Sequence, residues 1–282
     1  MRLLFLTVLT MIAFAANSVL NRMALAGGSI DAVSFGVIRL MSGAVMLAIL
    51  CLVLRGRLQL FGPGRVVGAL SLLVYLYGFS MAYQALDTGL GALILFGVVQ
   101  ITMFAGGLIA REAMPARRWI GAGLAFGGLA WLLWPGAGPQ VSVIHGLLMA
   151  AAGVGWGVYS LNGRRAGEAL MATAANFVWA APVGLFVGWL MPRGAAGVQL
   201  GAEGVILAVL SGAVTSGLGY ALWYSILPRL AASVAAVAQL TVPVIAMAGG
   251  MVILGEALSA EFVLASALVL GGVAVSVIRG RR

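Results

Sequence analysis

The sequence predicts an all-α integral membrane protein: ten transmembrane helices arranged as two inverted five-helix repeats, with both termini cytoplasmic. Three observations carry that expectation. The first is composition. Of 282 residues, 63% are hydrophobic and 8% charged, against roughly 45–50% and ~25% in soluble domains. A soluble chain of this length would have too few charges to cover its surface. The second is a series of ten apolar runs of about the ~20 residues that a membrane-spanning helix needs. The third is a match of the chain to itself at a shift of 144 residues, which divides it into 1–140 and 141–282.

The runs can be taken in order. Leu3–Ala24 follows Arg2 and carries Asn17 and Asn21. With Phe14-Ala15-Ala16 it imitates a cleavable signal peptide; its removal would leave nine helices and break the repeat, so it is read as a helix. Ala32–Leu54 begins after Asp31 and carries Arg39. Val66–Ala85 places Ser71, Tyr75, Phe79 and Ala82 on one face. Gly89–Ala110 carries Gln100 and closes on Arg111-Glu112. Trp119–Trp134 follows Arg117-Arg118. Ile144–Asn162 carries Trp156 and Tyr159, and Leu170–Met191 carries Trp179. Gly204–Tyr224 holds Tyr220 and Trp223, Ala232–Leu254 holds Gln239 and Pro243 and closes on Gly255-Glu256, and Phe262–Ile278 ends the series before Arg279. The breaks between runs are short and carry Gly, Pro, Arg or acidic residues.

The self-match sets Leu86 against Leu230, Gly106 against Gly250, Glu112-Ala113 against Glu256-Ala257, and Gly127-Gly128 against Gly271-Gly272. Five helices are an odd number, so the second repeat must cross the membrane in the opposite sense. The arginines agree. With the N-terminus cytoplasmic, thirteen of the sixteen Arg fall on cytoplasmic segments; Arg22 and Arg193 fall outside, and Arg39 falls within the second helix. This bias is the positive-inside pattern. The net charge of +9 then faces anionic lipid, and no nucleic-acid partner is expected. Inverted repeats are characteristic of secondary transporters, whose substrate site lies near mid-membrane between the halves.

The stretch Gly219-Tyr-Ala-Leu-Trp-Tyr224, followed by Leu227-Pro228, the Ala-rich Ala231–Ala238, Pro243 and Gly255-Glu256, resembles the second repeat of the EamA family of the drug/metabolite transporter superfamily. The first repeat agrees through Asn17, Arg39-Leu40 and Arg111-Glu112. Val99 stands where the second repeat has Pro243, so a kink is expected in the ninth helix and not in the fourth. The resemblance covers essentially the whole chain. It implies ten helices, inverted repeats and movement of small metabolites; well-studied members export amino acids, aromatic ones among them. The expected setting is a bacterial inner membrane and the expected state a monomer or weak homodimer.

Intramembrane polar groups are costly and tend to be functional. No Asp, Glu, Lys or His lies at the centre of any run, which argues against a proton-coupled antiporter of cationic drugs and for a solute that is neutral overall. Asn17 and Asn21 lie one turn apart, where they either bind solute or join helices. Gln100 and Gln239 pose the same choice. Pro243 removes the donor that would serve the Gln239 carbonyl. Tyr75, Phe79, Trp156, Tyr159 and Trp223 are candidates for an aromatic lining. Trp179 is read as deep; Trp119, Trp131, Trp134 and Trp189 are read as an interfacial belt. Arg39 either meets a substrate carboxylate or packs, with Asp31 as a possible partner. Small-residue pairs such as Gly123 and Gly127 are read as helix contacts. Cys51 and His145, each the sole residue of its type, cannot build a metal cluster, and no cofactor is expected.

The leading expectation is therefore an exporter of small neutral metabolites, chiefly amino acids with apolar or aromatic side chains. A permease for a purine, sugar or cofactor is the close alternative. A passive channel, which would show a continuous pore in place of saturation and competition, is a third class, and a membrane-embedded enzyme would need acid–base or metal groups that the sequence does not supply.

Overall fold

The computed structural model describes residues 1–111, 115–133, 142–163, 168–191, 197–230 and 238–277. Glu112, Trp134, Arg164, Arg165, Arg193 and most of the Ala-rich stretch lie outside them. The described residues form helices α1 (Arg2–Ala26), α2 (Ala32–Arg55), α3 (Arg65–Ala82), α4 (Thr88–Ile109), α5 (Ala116–Leu133), α6 (Val143–Gly163), α7 (Ala169–Leu190), a composite α8 (Ala202–Arg229), α9 (Thr241–Leu254) and α10 (Ala260–Val277). Seven of them (α1–α4 and α6–α8) are long and apolar enough to cross a membrane; α9 is a shorter apolar helix, and α10 is apolar over Ala260–Val275.

The distribution of side chains is that of a protein dissolved in lipid. Val53 and Val252 are 75% and 86% exposed, whereas Arg39 is the largest fully buried side chain. Asn17, Asn21, Ser71, Ser80, Thr215 and Ser216 are buried with it. Water would reverse this arrangement; hydrocarbon outside and a polar seam inside produce it.

Local chemistry sets several helix ends. The Asp31 carboxylate caps α2, accepting from the Ser34 amide at 2.9 Å, and also accepts from the Gln199 amide at 3.1 Å. Gly56 ends α2 in the left-handed region at φ 67°, a conformation with no penalty for glycine. α8 is α-helical over Ala202–Val209, widens to a π-helix over Leu210–Leu218, returns to α over Gly219–Ile226 and closes on a 3₁₀ turn, Leu227–Arg229. Widened turns of this kind often occur at functional sites. Pro182 stands inside α7, a helix breaker within the apolar run Leu170–Met191.

α3 packs on α6, α5 on α10, α2 on α7 and α8, α1 on α8 and α9, and α4 on α6 and α9. Glycines allow the closest of these approaches. A Cβ at Gly155 would lie 2.8 Å from the Ser71 carbonyl and 2.9 Å from the Tyr75 amide nitrogen, so α6 and α3 meet backbone to backbone. Gly212 presses likewise on the Arg39 backbone.

Several expectations are corrected. Gly123 and Gly127 face open space; α5 and α10 instead meet through Gly128, against Leu268 and Val269, and Gly272, against the Gly121 carbonyl. Trp179 is 40% exposed, and its indole donates to the Leu60 carbonyl at 3.0 Å, so it belongs with the outer aromatics. The break expected near Pro243 is not among these corrections: helical residues 238 and 239 are followed by a turn at 240, and Pro243 falls in the first turn of α9. A proline there lacks a donor that the first turn would leave unpaired anyway. The Thr241 hydroxyl donates to the Ala238 carbonyl at 2.6 Å.

A candidate substrate cavity between the helices

A small cavity lies where α1, α3, α4, α6 and α8 converge. Phe14, Asn17 and Ser18 come from α1, Tyr75 and Phe79 from α3, Leu95 and Phe96 from α4, Trp156 from α6 and Tyr220 from α8. Its volume is about 20 Å³, room for about one water molecule. The space is closed to anything much larger. A metabolite enters only if rings or helices move apart.

The walls are aromatic. Trp156 sits at the centre of a cluster, with its ring 5.0 Å from Tyr75, 5.2 Å from Tyr220 and stacked at 5.4 Å on Tyr159. Tyr75 lies 5.4 Å from Phe79. Phe14 meets Tyr220 edge-on at 5.7 Å and Trp223 at 5.9 Å. Such contacts hold flat rings in defined planes. The local reason is helical spacing: Tyr75 and Phe79, four residues apart, share one face of α3, and Phe14, Asn17 and Ser18 share one face of α1.

Under the aromatic wall runs a polar seam. The Asn17 Oδ1 accepts from Ser211 Oγ at 2.9 Å, from Thr215 Oγ1 and from Ser216 Oγ at 3.4 Å. All three hydroxyls belong to the π-helical part of α8. Its wider turns bring 211, 215 and 216 to one side, which regular α-geometry would spread further around the axis. Ser216 Oγ in turn accepts from Arg39 Nε and Nη2, both at 3.3 Å. Arg39 Nη2 also donates to the Tyr75 hydroxyl at 3.0 Å. The guanidinium carbon lies 4.9 Å from the Phe79 ring centre and 5.3 Å from that of Tyr75, within cation–π range.

Of the ten residues expected to form the site, Asn17, Tyr75, Phe79 and Trp156 line the cavity together. Tyr159 and Trp223 back it through Trp156 and Phe14, and Tyr159 donates to Thr173 Oγ1 at 3.1 Å. Asn21 is buried on α1, where its Nδ2 donates to the Asn17 carbonyl at 3.2 Å; it lies outside the lining. Gln100, Gln239 and Pro243 lie outside it too. The suggested Arg39–Asp31 pair does not form. Asp31 caps its own helix eight residues away, and at 1.5 Å per residue that is about 12 Å along the axis. Phe14, Ser18, Leu95, Phe96, Ser211 and Ser216 were not expected at the site from the sequence. The small hydroxyls carry a weak signal, and their convergence depends on the π-helical segment.

At the helix ends a second polar cluster forms. Arg22 Nε lies 3.3 Å from Glu256 Oε1, Arg22 Nη2 lies 3.3 Å from Asp87 Oδ1, and Nη1 donates to the Tyr83 and Gln84 carbonyls at 3.2 and 3.3 Å. Glu256 also caps α4, both its oxygens accepting from the Thr88 amide.

The comparisons with known proteins agree with this architecture. The sequence profile of the EamA-like transporter family matches residues 144–278. The uncharacterized protein PA1977 of Pseudomonas aeruginosa is 46% identical over 275 residues, covering 97% of this chain and 94% of that protein. A solved crystal structure of a protein is similar with a TM-score of 0.64 over 95% of this chain and 96% of its own; at 21% identity this likeness speaks for the fold alone. The chain is thus a multi-pass membrane protein that belongs to the EamA-like transporter family of the drug/metabolite transporter superfamily.

Proposed function

We propose that this protein is a secondary transporter that exports small metabolites with an apolar or aromatic body, amino acids of that kind first among them, across a bacterial inner membrane. The observation that carries the reading is the cavity of Tyr75, Phe79, Trp156 and Tyr220 around the Asn17 amide. Apolar walls with few polar groups suit a solute with a flat hydrophobic body and one polar end.

Alternating access between two inverted five-helix repeats is the proposed mechanism. Its support is the packing order. Adding five to each helix number maps α1 on α8 to α6 on α3, α1 on α9 to α6 on α4, and α2 on α8 to α7 on α3, while α2 on α7, α4 on α9 and α5 on α10 map to themselves. The closed cavity supports the same scheme, because rocking of one repeat against the other would open it to one side at a time. The arginine distribution supports cytoplasmic termini. The described carboxylates Asp31, Asp87, Glu168, Glu203, Glu256 and Glu261 all stand at helix ends or in connections, which favours facilitated movement over strong proton coupling.

The test is uptake by purified protein in liposomes, using radiolabelled phenylalanine, threonine, adenine and glucose, with and without a pH gradient. Saturable phenylalanine uptake without a gradient is the expected result. Flux of adenine or glucose alone would contradict the substrate class and point to a permease for those metabolites.

A further inference from the structure

We infer that the transported solute is recognised by a carboxylate, for which Arg39 supplies the counter-charge, and that an amino group on the solute is dispensable. The inference rests on the aromatic cavity proposed above and adds the chemistry of the solute's polar end.

Arg39 is fully buried, yet no acidic partner faces it among the described residues. Its contacts are neutral: the Tyr75 hydroxyl, Ser216 Oγ and the rings of Tyr75 and Phe79. Its Nη1 has no hydrogen-bond partner among the described residues. A cation taken out of water without an anion is strongly unfavourable, and rings and hydroxyls compensate only part of that loss. A guanidinium also presents paired donors that match a carboxylate.

The position relative to the cavity gives the unpaired charge a use. Tyr75 and Phe79 are both cavity walls and the two rings that cover the guanidinium. Arg39 thus lies directly behind two of the cavity's walls. A hydrogen-bonded link also exists, since Ser216 accepts from Arg39 and donates to Asn17, which lines the same space. A carboxylate docked at Asn17 and Tyr75 thus meets donors polarised by the cation. No Asp or Glu lines the cavity, so nothing there demands a ligand ammonium.

The experiment is direct calorimetric titration of the purified full-length protein in chloride-free buffer with phenylalanine and with two acid–amine pairs: 3-phenylpropionate against phenethylamine, and hexanoate against hexylamine. The expected result is that phenylalanine and 3-phenylpropionate bind, and that each acid binds at least about tenfold more tightly than its amine, a difference typical of one charge-assisted contact. Arg39→Gln is expected to bring the acid-to-amine ratio of the aromatic pair close to one, and Arg39→Lys, which keeps the charge, to preserve part of it. Equal binding of acids and amines by the wild type overturns the role of Arg39 while leaving the aromatic reading intact. Binding of hexanoate without either aromatic acid supports the carboxylate and overturns the aromatic reading. Binding of none of the five overturns both. Because the wild-type comparison suffices, a variant that fails to fold does not remove the test.

Discussion

Arg22 Nε and Glu256 Oε1 lie 3.3 Å apart across 234 residues of sequence, and the pair ties the end of α1 to the connection between α9 and α10. Glu256 is 12% exposed and Arg22 18%, whereas Asp87, the other acid on Arg22, is 58% exposed. The two ion pairs therefore differ in worth. A water-exposed pair contributes about 0–1 kcal/mol, while breaking a largely buried one leaves a stranded charge at about 3–5 kcal/mol. Asp87→Ala is expected to lower the thermal midpoint slightly, and Glu256→Ala to lower it several times more, because it also uncaps α4 at Thr88. Thermal unfolding of the purified variants checks the order.

Asn17 receives three hydroxyls on one oxygen. Asn17→Ala leaves them without that acceptor in a buried seam, a loss of about 1–3 kcal/mol, and uptake should fall further than stability does. Asn17→Asp keeps the shape and places an anion one hydroxyl away from Arg39. It should retain the fold and weaken carboxylate binding, which titration with 3-phenylpropionate would register.

Gly155 holds α6 against the backbone of α3. Gly155→Ala requires those two backbones to separate, an overpacking strain of roughly 1–3 kcal/mol. The neighbouring Trp156 and the facing Tyr75 move with them. Thermal unfolding should show the loss, and solute affinity should drop with it. Gly127→Ala, which faces open space, should change neither measurement.

Trp156 contacts Tyr75, Tyr159 and Tyr220. Trp156→Ala should raise the apparent KM for phenylalanine about tenfold, equivalent to ~1.4 kcal/mol, with a much smaller effect from Trp189→Ala, since Trp189 is 72% exposed. Uptake kinetics in liposomes separates the two.

Much of the membrane architecture could be read before any coordinates. Apolar runs respond to a single physical demand, hydrocarbon outside and no water for the backbone, so Ala32–Leu54 and the observed α2 (Ala32–Arg55) nearly coincide. The aromatic face of α3 was legible for a similar reason: four-residue spacing places Tyr75 and Phe79 together. The polar seam was not. An apolar helix at i+4 and a π-helix at i+5 have nearly the same composition, so nothing in Leu-Ser-Gly-Ala-Val-Thr-Ser-Gly-Leu from Leu210 to Leu218 announces the widened turn that brings Ser211, Thr215 and Ser216 to Asn17. The surroundings of Arg39 were hidden too, because they arise where α2 crosses α3 and α8, a tertiary fact. Gln100 and Gln239 stood out as rare amides in apolar runs, but rarity says nothing about which way a side chain points.

The central claim is that solute crosses through one closed cavity opened alternately to the two sides. Counterflow tests it most directly. Liposomes containing the protein are loaded with unlabelled phenylalanine and diluted into trace labelled phenylalanine. An alternating-access carrier returns from the inside loaded, so the label should accumulate transiently above its equilibrium level and then decay, and Trp156→Ala should flatten the overshoot. Label that rises monotonically to equilibrium, at a rate unaffected by the unlabelled pool, would indicate a continuous pore and contradict the account.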